Sequence, residues 1–303
     1  MPIAQYRRDR EAEQLVIETV ENNSQRGEQN GKRQGSTLSL VGHMTAANLL
    51  RDARILYRRL PELPEATRPQ TIDGAYDCQN EVISAWLAHY GGAVSGYKVA
   101  CTNPIAQRQL GVDGPFFGRL LSPFVMESPA TMDSGKFFMR VVEAEFGFRM
   151  GADLPPVSEP RTREEVANAV EGVLPAIEIV DSRFDDWTAM GAVSLIADNA
   201  CNGAWVRGPL LPEWRHMDLA RQAVRVFVNG EVSREGSGAA VLGHPLNALQ
   251  WLVNKLNSRG IAVHAGDYMT TGVVSEVYFA EPGDHVVADF GPAGKVEVRF
   301  TGN

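Results

Sequence analysis

The sequence has little cysteine, no excess of basic residues and no long apolar run. Its three cysteines, Cys78, Cys101 and Cys201, lack the paired spacing of a structural zinc site, so we expect free thiols in a reducing compartment. The 29 Lys and Arg residues are outnumbered by 37 Asp and Glu residues, which gives a formal net charge of −8. This balance argues against nucleic acid or an anionic membrane as a partner. No run approaches the ~18 apolar residues of a membrane-spanning helix. We therefore predict a cytoplasmic protein.

The composition is that of an ordinary globular protein. Apolar residues make up 44% of the 303 residues and charged residues 22%, both close to globular averages. A chain of this length holds either one large domain or a large and a small one, with enough apolar side chains for a substantial core.

The beginning of the chain differs in composition from the rest. Residues 22–37 carry no large apolar side chain, and such a segment buries too little apolar surface to offset the entropy of ordering it. We predict that residues 1–43 form a disordered N-terminal extension, and we assign them no chemistry.

Residues 44–92 are predicted to form an N-terminal helical cap. Apolar residues recur at a spacing of three to four over residues 46–57, and Pro61 and Pro64 end this run. The same spacing returns over residues 72–89, which predicts a second helix.

Residues 93–303 are predicted to form a β-rich catalytic domain. Asn229 and Gly230 separate two strand-like segments, and this dipeptide is a strong signal for a two-residue hairpin. A helix is predicted to begin at Pro245, with Gly260 as its stop.

A capping box that begins at Thr162 predicts one further helix, whose apolar face includes Val170 and Val173. The combined pattern of a helical segment followed by mainly strand signals predicts an α+β fold, with the helical cap packed on a twisted β core.

The most informative segment is a strand-like run over residues 140–148. Apolar residues alternate there with Glu143 and Glu145, so both carboxylates are expected on one face of a strand. At about 3.3 Å of rise per residue, their Cα atoms lie roughly 7 Å apart. Like charges this close on an enclosed surface require compensation by a proton, a basic side chain or a divalent cation.

A third glutamate follows in a second strand-like run. Glu178 stands between Ile177 and Ile179, and buried carboxylates are rare unless they are paired or bind a metal. Three glutamates on two neighbouring strands would offer oxygen ligands suited to Mg²⁺ or Mn²⁺. Alternatively, Glu143 and Glu145 lie on a solvated face and Glu178 meets an arginine. The spacing by itself leaves both interpretations open.

Several sequence blocks occur in the order typical of one enzyme family. They are GYKVACT (96–102), QLGVDGP (109–115), VEAEF (142–146), PAIEIVDSR (175–183), ADNA (197–200), GSGAAVLGHPL (236–246) and AGD (265–267). Together they resemble the 2-keto-4-pentenoate hydratase family, within the larger fumarylacetoacetate-hydrolase-like superfamily that also includes 4-oxalocrotonate decarboxylases. The similarity covers roughly residues 44–300. It implies a rolled, mixed β-sheet core with a metal site inside its mouth.

The resemblance also implies roles for individual residues. Mg²⁺ or Mn²⁺ would be held by the three glutamates, Glu143, Glu145 and Glu178. Lys98 would be the catalytic residue that binds the substrate anion or moves a proton, with a pKa lowered by the cation and by burial. Leu110 and Cys201 would contact the substrate. The alternatives are a surface position for Lys98 and simple core packing for Leu110.

The implied substrate is a short 2-hydroxy-2,4-dienoate or its 2-keto tautomer, derived from aromatic ring cleavage. Its hydration to a 4-hydroxy-2-keto acid, through an enolate that the cation stabilises, is the leading hypothesis. Decarboxylation of a 4-oxalocrotonate-like acid passes through the same dienolate and is the first alternative.

Two further alternatives come from other classes of function. Carbon–carbon hydrolysis of an acylpyruvate would require a base such as a His–Glu pair, and no such pairing is evident for the histidines, which are His43, His89, His216, His244, His264 and His285. A non-catalytic assembly partner is the other. The family's habit predicts a homo-oligomer, with association with a pathway aldolase or a decarboxylase/hydratase partner as a further expectation.

The chain departs from the family pattern at two positions. Phe116 stands where the family usually has an Asp thought to assist proton transfer, and Cys201 stands where a Ser is common. A thiol is a weaker hydrogen-bonding group than a hydroxyl, so we expect a drier and less polar site. Asp113 is a candidate replacement for the lost acid. Arg183 is a candidate to stabilise the glutamates, with a structural role preferred over a catalytic one.

Overall fold

The computed structural model describes residues 45–302. The predicted disorder of residues 1–43 lies outside the described residues. The helices are α1 (Ala46–Ile55), α2 (Ile72–Tyr90), α3 (Pro104–Leu110), α4 (Arg163–Asn168), α5 (Gly191–Ala197) and α6 (Pro245–Asn257). The strands are β1 (Val94–Ala100), β2 (Phe116–Leu121), β3 (Val125–Glu127), β4 (Ala130–Asp133), β5 (Val141–Met150), β6 (Val170–Val180), β7 (Asn202–Arg207), β8 (Ala223–Val228), β9 (Glu231–Ser237), β10 (Tyr268–Val273), β11 (Tyr278–Phe279), β12 (His285–Asp289) and β13 (Lys295–Thr301).

The strands form two mixed sheets. The larger sheet has eight strands. Seven of them follow the order β2-β1-β10-β5-β6-β7-β3, and the eighth, β11, pairs with the N-terminal end of β5. The smaller sheet has five strands in the order β4-β13-β12-β8-β9. Both are mixed, because β1 and β10, β3 and β7, and β4 and β13 run parallel. The predicted α+β class is confirmed, with the strands divided between two sheets.

Two helices precede the first strand. Thr71 begins α2, because its side chain accepts a hydrogen bond from the Gly74 amide at 3.0 Å. The predicted helices over 46–57 and 72–89 are therefore present, with small differences at their ends. The division into a cap (44–92) and a catalytic domain (93–303) stays a prediction. Within residues 45–302, no helix has both the length and the apolar character that crossing a membrane requires.

The hairpin prediction is confirmed, and one helix prediction is partly wrong. Asn229 and Gly230 adopt positive φ values of 53° and 92° between β8 and β9, as a two-residue hairpin turn requires. The capping box at Thr162 is formed, but its helix ends at Asn168. Val170 already lies in β6, an eleven-residue strand that is buried nearly throughout. A strand that is buried on both faces shows no alternation of apolar and polar residues. The spacing of Val170 and Val173 therefore matched that of a helix by coincidence.

Helix α6 begins with Pro245 in its first turn and ends at Asn257. The predicted stop, Gly260, follows with a left-handed φ of 69°, so the helix ends three residues before it.

The large sheet carries a small apolar cluster on one face, formed by Leu120, Leu174, Ala176 and Trp205. Ala176 lies directly opposite Glu145, and Trp205 opposite Glu178, so this cluster borders the glutamates.

Candidate active site

The pairing of β5 with β6 brings the three glutamates together. Glu143 lies directly opposite Glu178 in the antiparallel register, and Glu145 lies two residues further along the same face of β5. Each of the three offers a carboxylate oxygen, and these oxygens all lie within 4.8 Å of one another. The alternative interpretation, in which Glu143 and Glu145 lie on a solvated face, does not describe this arrangement.

The glutamates are buried with few compensating hydrogen bonds. Glu145 and Glu178 are both 0% exposed. Neither oxygen of Glu145, nor Oε2 of Glu178, has a hydrogen-bond partner among residues 45–302. Burial, together with the charges of Glu178 and Glu143, raises the pKa of Glu145 well above its ordinary value. Burial and the charge of Glu178 raise the pKa of Glu143 to about 7, although Lys98 lowers it.

These orphaned oxygens fit a divalent cation. Buried carboxylates without partners are unfavourable, and an oxygen-only donor set is the kind that Mg²⁺ and Mn²⁺ prefer. The three side chains that would hold the cation are Glu143, Glu145 and Glu178.

Lys98 lies against the same cluster. Its strand, β1, buries the side chain to 2% exposure, and Nζ lies 3.1 Å from Oε1 of Glu178. Nζ also donates a hydrogen bond to the Ala200 carbonyl at 2.8 Å. Burial lowers the pKa of Lys98, but Glu178, Glu143 and Glu145 outweigh it, so the net pKa is raised. The expected lowering refers to a site that holds a divalent cation, and it stays a prediction; in the metal-free chain Lys98 carries a positive charge.

Cys201 lies in a tight turn that leads into β7. Asn199, Ala200 and Cys201 have consecutive positive φ values of 51°, 52° and 59°. The Cys201 side chain is 3% exposed, and burial raises the pKa of its thiol to about 12. A neutral thiol is a poor nucleophile, so the geometry gives no support for nucleophilic catalysis by Cys201.

Leu110 ends α3, a short helix that the sequence analysis missed. Its signals were present: Asn103 accepts a hydrogen bond from the Ala106 amide, Pro104 occupies the first turn, and Gly111 ends the helix in the left-handed conformation. Leu110 is 8% exposed and packs in the main hydrophobic core. Its contact with a substrate stays a prediction.

Phe116, the first departure from the family pattern, lies on the face of the sheet that Lys98 occupies. Phe116 lies opposite Ala100, and Lys98 lies opposite Gly118, in the pairing of β1 with β2. Because residues two apart share a face, Phe116 lies on the same face of the sheet as Lys98. Phe116 is 4% exposed. A buried apolar ring therefore stands where the family usually has an Asp. Asp113 is exposed, and nothing in its position indicates that it replaces that acid.

Other sequence expectations require correction. Arg183 is fully buried and pairs with Asp198 rather than with a glutamate, which supports a structural role. A His–Glu pair does exist, because Nε2 of His285 lies 3.2 Å from Oε2 of Glu297. This pair joins β12 and β13 of the smaller sheet, whereas the three glutamates belong to the larger one.

Sequence reasoning missed Asn202, whose side-chain Nδ2 donates to Oε1 of Glu178 at 2.9 Å. It also missed Arg54 of α1, which donates to the carbonyls of Asn202 and Gly203 at 2.9 and 2.8 Å. The available signal for Asn202 was the presence of three polar residues, Asp198, Asn199 and Asn202, inside an otherwise apolar region.

Known proteins are similar to this chain in sequence and in fold. The family model "Fumarylacetoacetate (FAA) hydrolase C-terminal" matches residues 129–301. A 2-keto-4-pentenoate hydratase of Paraburkholderia xenovorans (strain LB400) is 34% identical over 260 residues, which cover 85% of this chain and 94% of that protein. A 4-oxalocrotonate decarboxylase of Pseudomonas putida is 31% identical over 263 residues, covering 87% and 96%.

A solved structure supports the same relationship. The 4-oxalocrotonate decarboxylase from Pseudomonas putida G7, complexed with magnesium and adipate, has a TM-score of 0.77 and 29% identity, covering 84% of this chain and 95% of that one. The mixed-sheet α+β fold and its acid-lined site are thus those of an enzyme with a candidate divalent-cation centre. The chain belongs to the fumarylacetoacetate hydrolase family, in its hydratase and decarboxylase branch.

Proposed function

We propose that this chain is a Mg²⁺- or Mn²⁺-dependent lyase that hydrates a short 2-hydroxy-2,4-dienoate to a 4-hydroxy-2-keto acid. The observation that carries the proposal is the buried cluster of Glu143, Glu145 and Glu178 with Lys98 beside it. Such a site suits an anionic substrate with a carboxylate next to an enol or ketone oxygen. Similarity to the hydratases supports this choice of substrate.

The cation, when bound, would supply a positive charge that stabilises enolate character in the substrate. Holding it is the proposed role of the three glutamates. The orphaned oxygens of Glu145 and Glu178 are the groups that support this assignment.

Lys98 is the proposed catalytic residue. In the metal-free chain the neighbouring carboxylates raise its pKa, and in the loaded site its ammonium group would bind the substrate carboxylate and donate a proton to the dienolate. Its hydrogen bond to the Ala200 carbonyl fixes Nζ beside Glu178, which limits the loss of side-chain entropy when substrate binds.

The remaining proposed contacts are apolar or neutral. Leu110 and Cys201 are the proposed substrate-binding residues, and both are nearly completely buried. With a thiol pKa of about 12, Cys201 would contact the substrate as a neutral group. Phe116 would exclude water from the side of the site that it shares with Lys98.

Decarboxylation of a 4-oxalocrotonate-like acid is a second candidate, and Phe116 is the observation that favours it. Loss of CO₂ converts a charged carboxylate to a neutral molecule, so an apolar neighbour favours it. It needs an electron sink and a proton donor, but no base to activate water. The similarity to decarboxylases in sequence and structure is compatible with this route.

Product identification tests both candidates. Protein loaded with Mg²⁺ is incubated with freshly generated 2-hydroxypenta-2,4-dienoate and, separately, with 4-oxalocrotonate, and the products are followed by NMR. A 4-hydroxy-2-keto acid from the first substrate establishes the hydratase. Release of CO₂ from the second, without hydration of the first, establishes the decarboxylase instead.

Absence of turnover of both substrates, with Mg²⁺ bound, refutes both candidates. An acylpyruvate would then be the next substrate to test. Absence of any turnover would favour the non-catalytic assembly partner, and sedimentation with a homologous hydratase or decarboxylase would check it.

A further inference from the structure

The turn before β7 adopts a conformation that most residues avoid. Asn199, Ala200 and Cys201 all lie in the left-handed region, where a Cβ crowds the following carbonyl oxygen. Three such residues in a row, none of them glycine, persist only when the surroundings hold them. The turn and the first residue of β7 supply two groups that contact the candidate active site, the Ala200 carbonyl and the side-chain amide of Asn202.

A buried ion pair holds one end of this turn. The Arg183 side chain donates through Nε to Oδ1 of Asp198 and through Nη2 to the Asp198 carbonyl at 2.6 Å. Ser182 Oγ and the Arg183 amide both donate to Oδ2 of Asp198, at 3.2 and 3.1 Å. Both charged residues are 0% exposed, so the carboxylate and guanidinium are paired where water cannot replace either partner.

The other end of the turn is held at the Asn202 carbonyl. Arg54 donates to this oxygen through Nη1 at 2.9 Å, and Arg183 donates to it through its own Nη1 at 3.2 Å. Two guanidinium groups on different elements therefore meet at one carbonyl. The backbone of Asn202 is therefore held by two side chains at the position from which its side chain reaches Glu178.

The Asn202 side chain contacts only one oxygen of Glu178. Its Nδ2 donates to Oε1 at 2.9 Å, and Nζ of Lys98 lies 3.1 Å from the same atom. Both donors therefore act on Oε1, while Oε2 has no partner among residues 45–302. This asymmetry fixes the rotation of the carboxylate and leaves Oε2 available as a ligand.

We propose that Asn202 is a positioning residue that orients Glu178 for cation binding, and that Asp198, Arg183 and Arg54 fix Asn202 in this role. The inference rests on the proposed cation site and adds a specific cause for its geometry. Partners that orient a metal ligand are commonly worth 10- to 100-fold in metal affinity.

The test compares two buried amides. Asn202→Leu keeps the branched shape of the side chain and removes the donor to Glu178. The matched control is Gln79→Met, because Gln79 is also 0% exposed and its Nε2 donates to the carbonyls of Phe117 and Ile196 at 3.1 and 2.8 Å. Mn²⁺ affinity is measured by electron paramagnetic resonance, and thermal unfolding is recorded for each metal-free protein.

We expect Asn202→Leu to weaken Mn²⁺ binding by 10- to 100-fold. Gln79→Met is expected to lower the unfolding temperature and to leave Mn²⁺ affinity within about twofold of wild type, because the Gln79 side chain hydrogen-bonds to Phe117, Ile196 and Arg119 and to none of the three glutamates. Turnover of Asn202→Leu is expected to recover toward wild type at saturating Mn²⁺. Unchanged affinity in Asn202→Leu, or equal loss in Gln79→Met, would overturn the proposal.

Asn202→Ala provides a second measurement if the leucine variant does not fold, because it truncates the side chain without adding apolar bulk. The same loss of affinity is expected, and unchanged affinity again overturns the positioning role. The wild-type titration separates this inference from the proposed function. If wild type itself binds no Mn²⁺, the cation site fails, whereas wild-type binding with unaffected Asn202 variants refutes the positioning role alone.

Discussion

The metal-free protein is predicted to lose stability as the pH rises from about 4.5 to about 7, because Glu143 must ionise beside Glu178. Burial and the charge of Glu178 raise the pKa of Glu143 from 4.5 to about 7. Between these values the folded state binds a proton that the unfolded state has released. The stability that the Glu143 proton contributes is therefore fully present below pH 4.5 and is lost progressively as the pH approaches 7.

The magnitude follows from the difference between the two pKa values. The folded-state pKa lies about 2.5 pH units above 4.5, and each unit corresponds to ~1.4 kcal/mol, so Glu143 costs about 3 kcal/mol of unfolding free energy at pH 7.5. For a protein of 303 residues, that corresponds to a decrease of roughly 5 °C in Tm.

The assay is thermal unfolding in EDTA at pH 5 and pH 7.5, for wild type and for Glu143→Gln. The glutamine variant removes the titrating group, so the difference between the two proteins reports Glu143 together with its effect on the pKa of Glu145, and it cancels the carboxyls elsewhere that titrate in this range. We expect wild type to lose at least several degrees more than the variant between the two pH values. An equal loss in both proteins would refute the inference that Glu143 carries this cost. Addition of Mg²⁺ or Mn²⁺ at pH 7.5 is expected to recover the stability of wild type.

Two further predictions concern the reaction. Phe116→Asp is expected to raise the hydration rate at least severalfold, since it restores an acid on the face that Lys98 occupies, and NMR of the product measures it. An unchanged rate would show that the role of the acid does not transfer to this position. Lys98→Met is expected to lower turnover by roughly 100-fold or more while Mn²⁺ binding is retained or strengthened, because one positive charge leaves the cluster. Turnover close to wild type in that variant would exclude Lys98 as the catalytic residue.

Part of the site was predictable because strand periodicity is a local property. Alternation placed Glu143 and Glu145 on one face, and the isoleucines on either side of Glu178 indicated its burial. The register that sets Glu143 opposite Glu178 was not predictable from local pattern, because it depends on how two strands pair over their whole length.

The features that were missed depend on contacts between distant residues. The left-handed turn at Asn199–Cys201 contains one residue that favours this conformation, Asn199, and two that do not, and it follows directly after the buried pair of Asp198 and Arg183. The raised pKa of Lys98 in the metal-free chain was not predictable, because it depends on three carboxylates whose distances from Nζ the sequence does not contain. Helix α4 was extended too far because β6 is apolar on both faces.

The cation site itself is the central claim, and a Mn²⁺ titration followed by electron paramagnetic resonance tests it most directly. Glu145→Gln keeps the shape of the side chain but removes one of the two fully buried carboxylates of the cluster. We expect wild type to bind one Mn²⁺ per chain, and Glu145→Gln to lose that binding while its thermal unfolding shows an intact fold. A wild-type protein that binds no Mn²⁺, or a variant that binds it as tightly as wild type, would contradict the account.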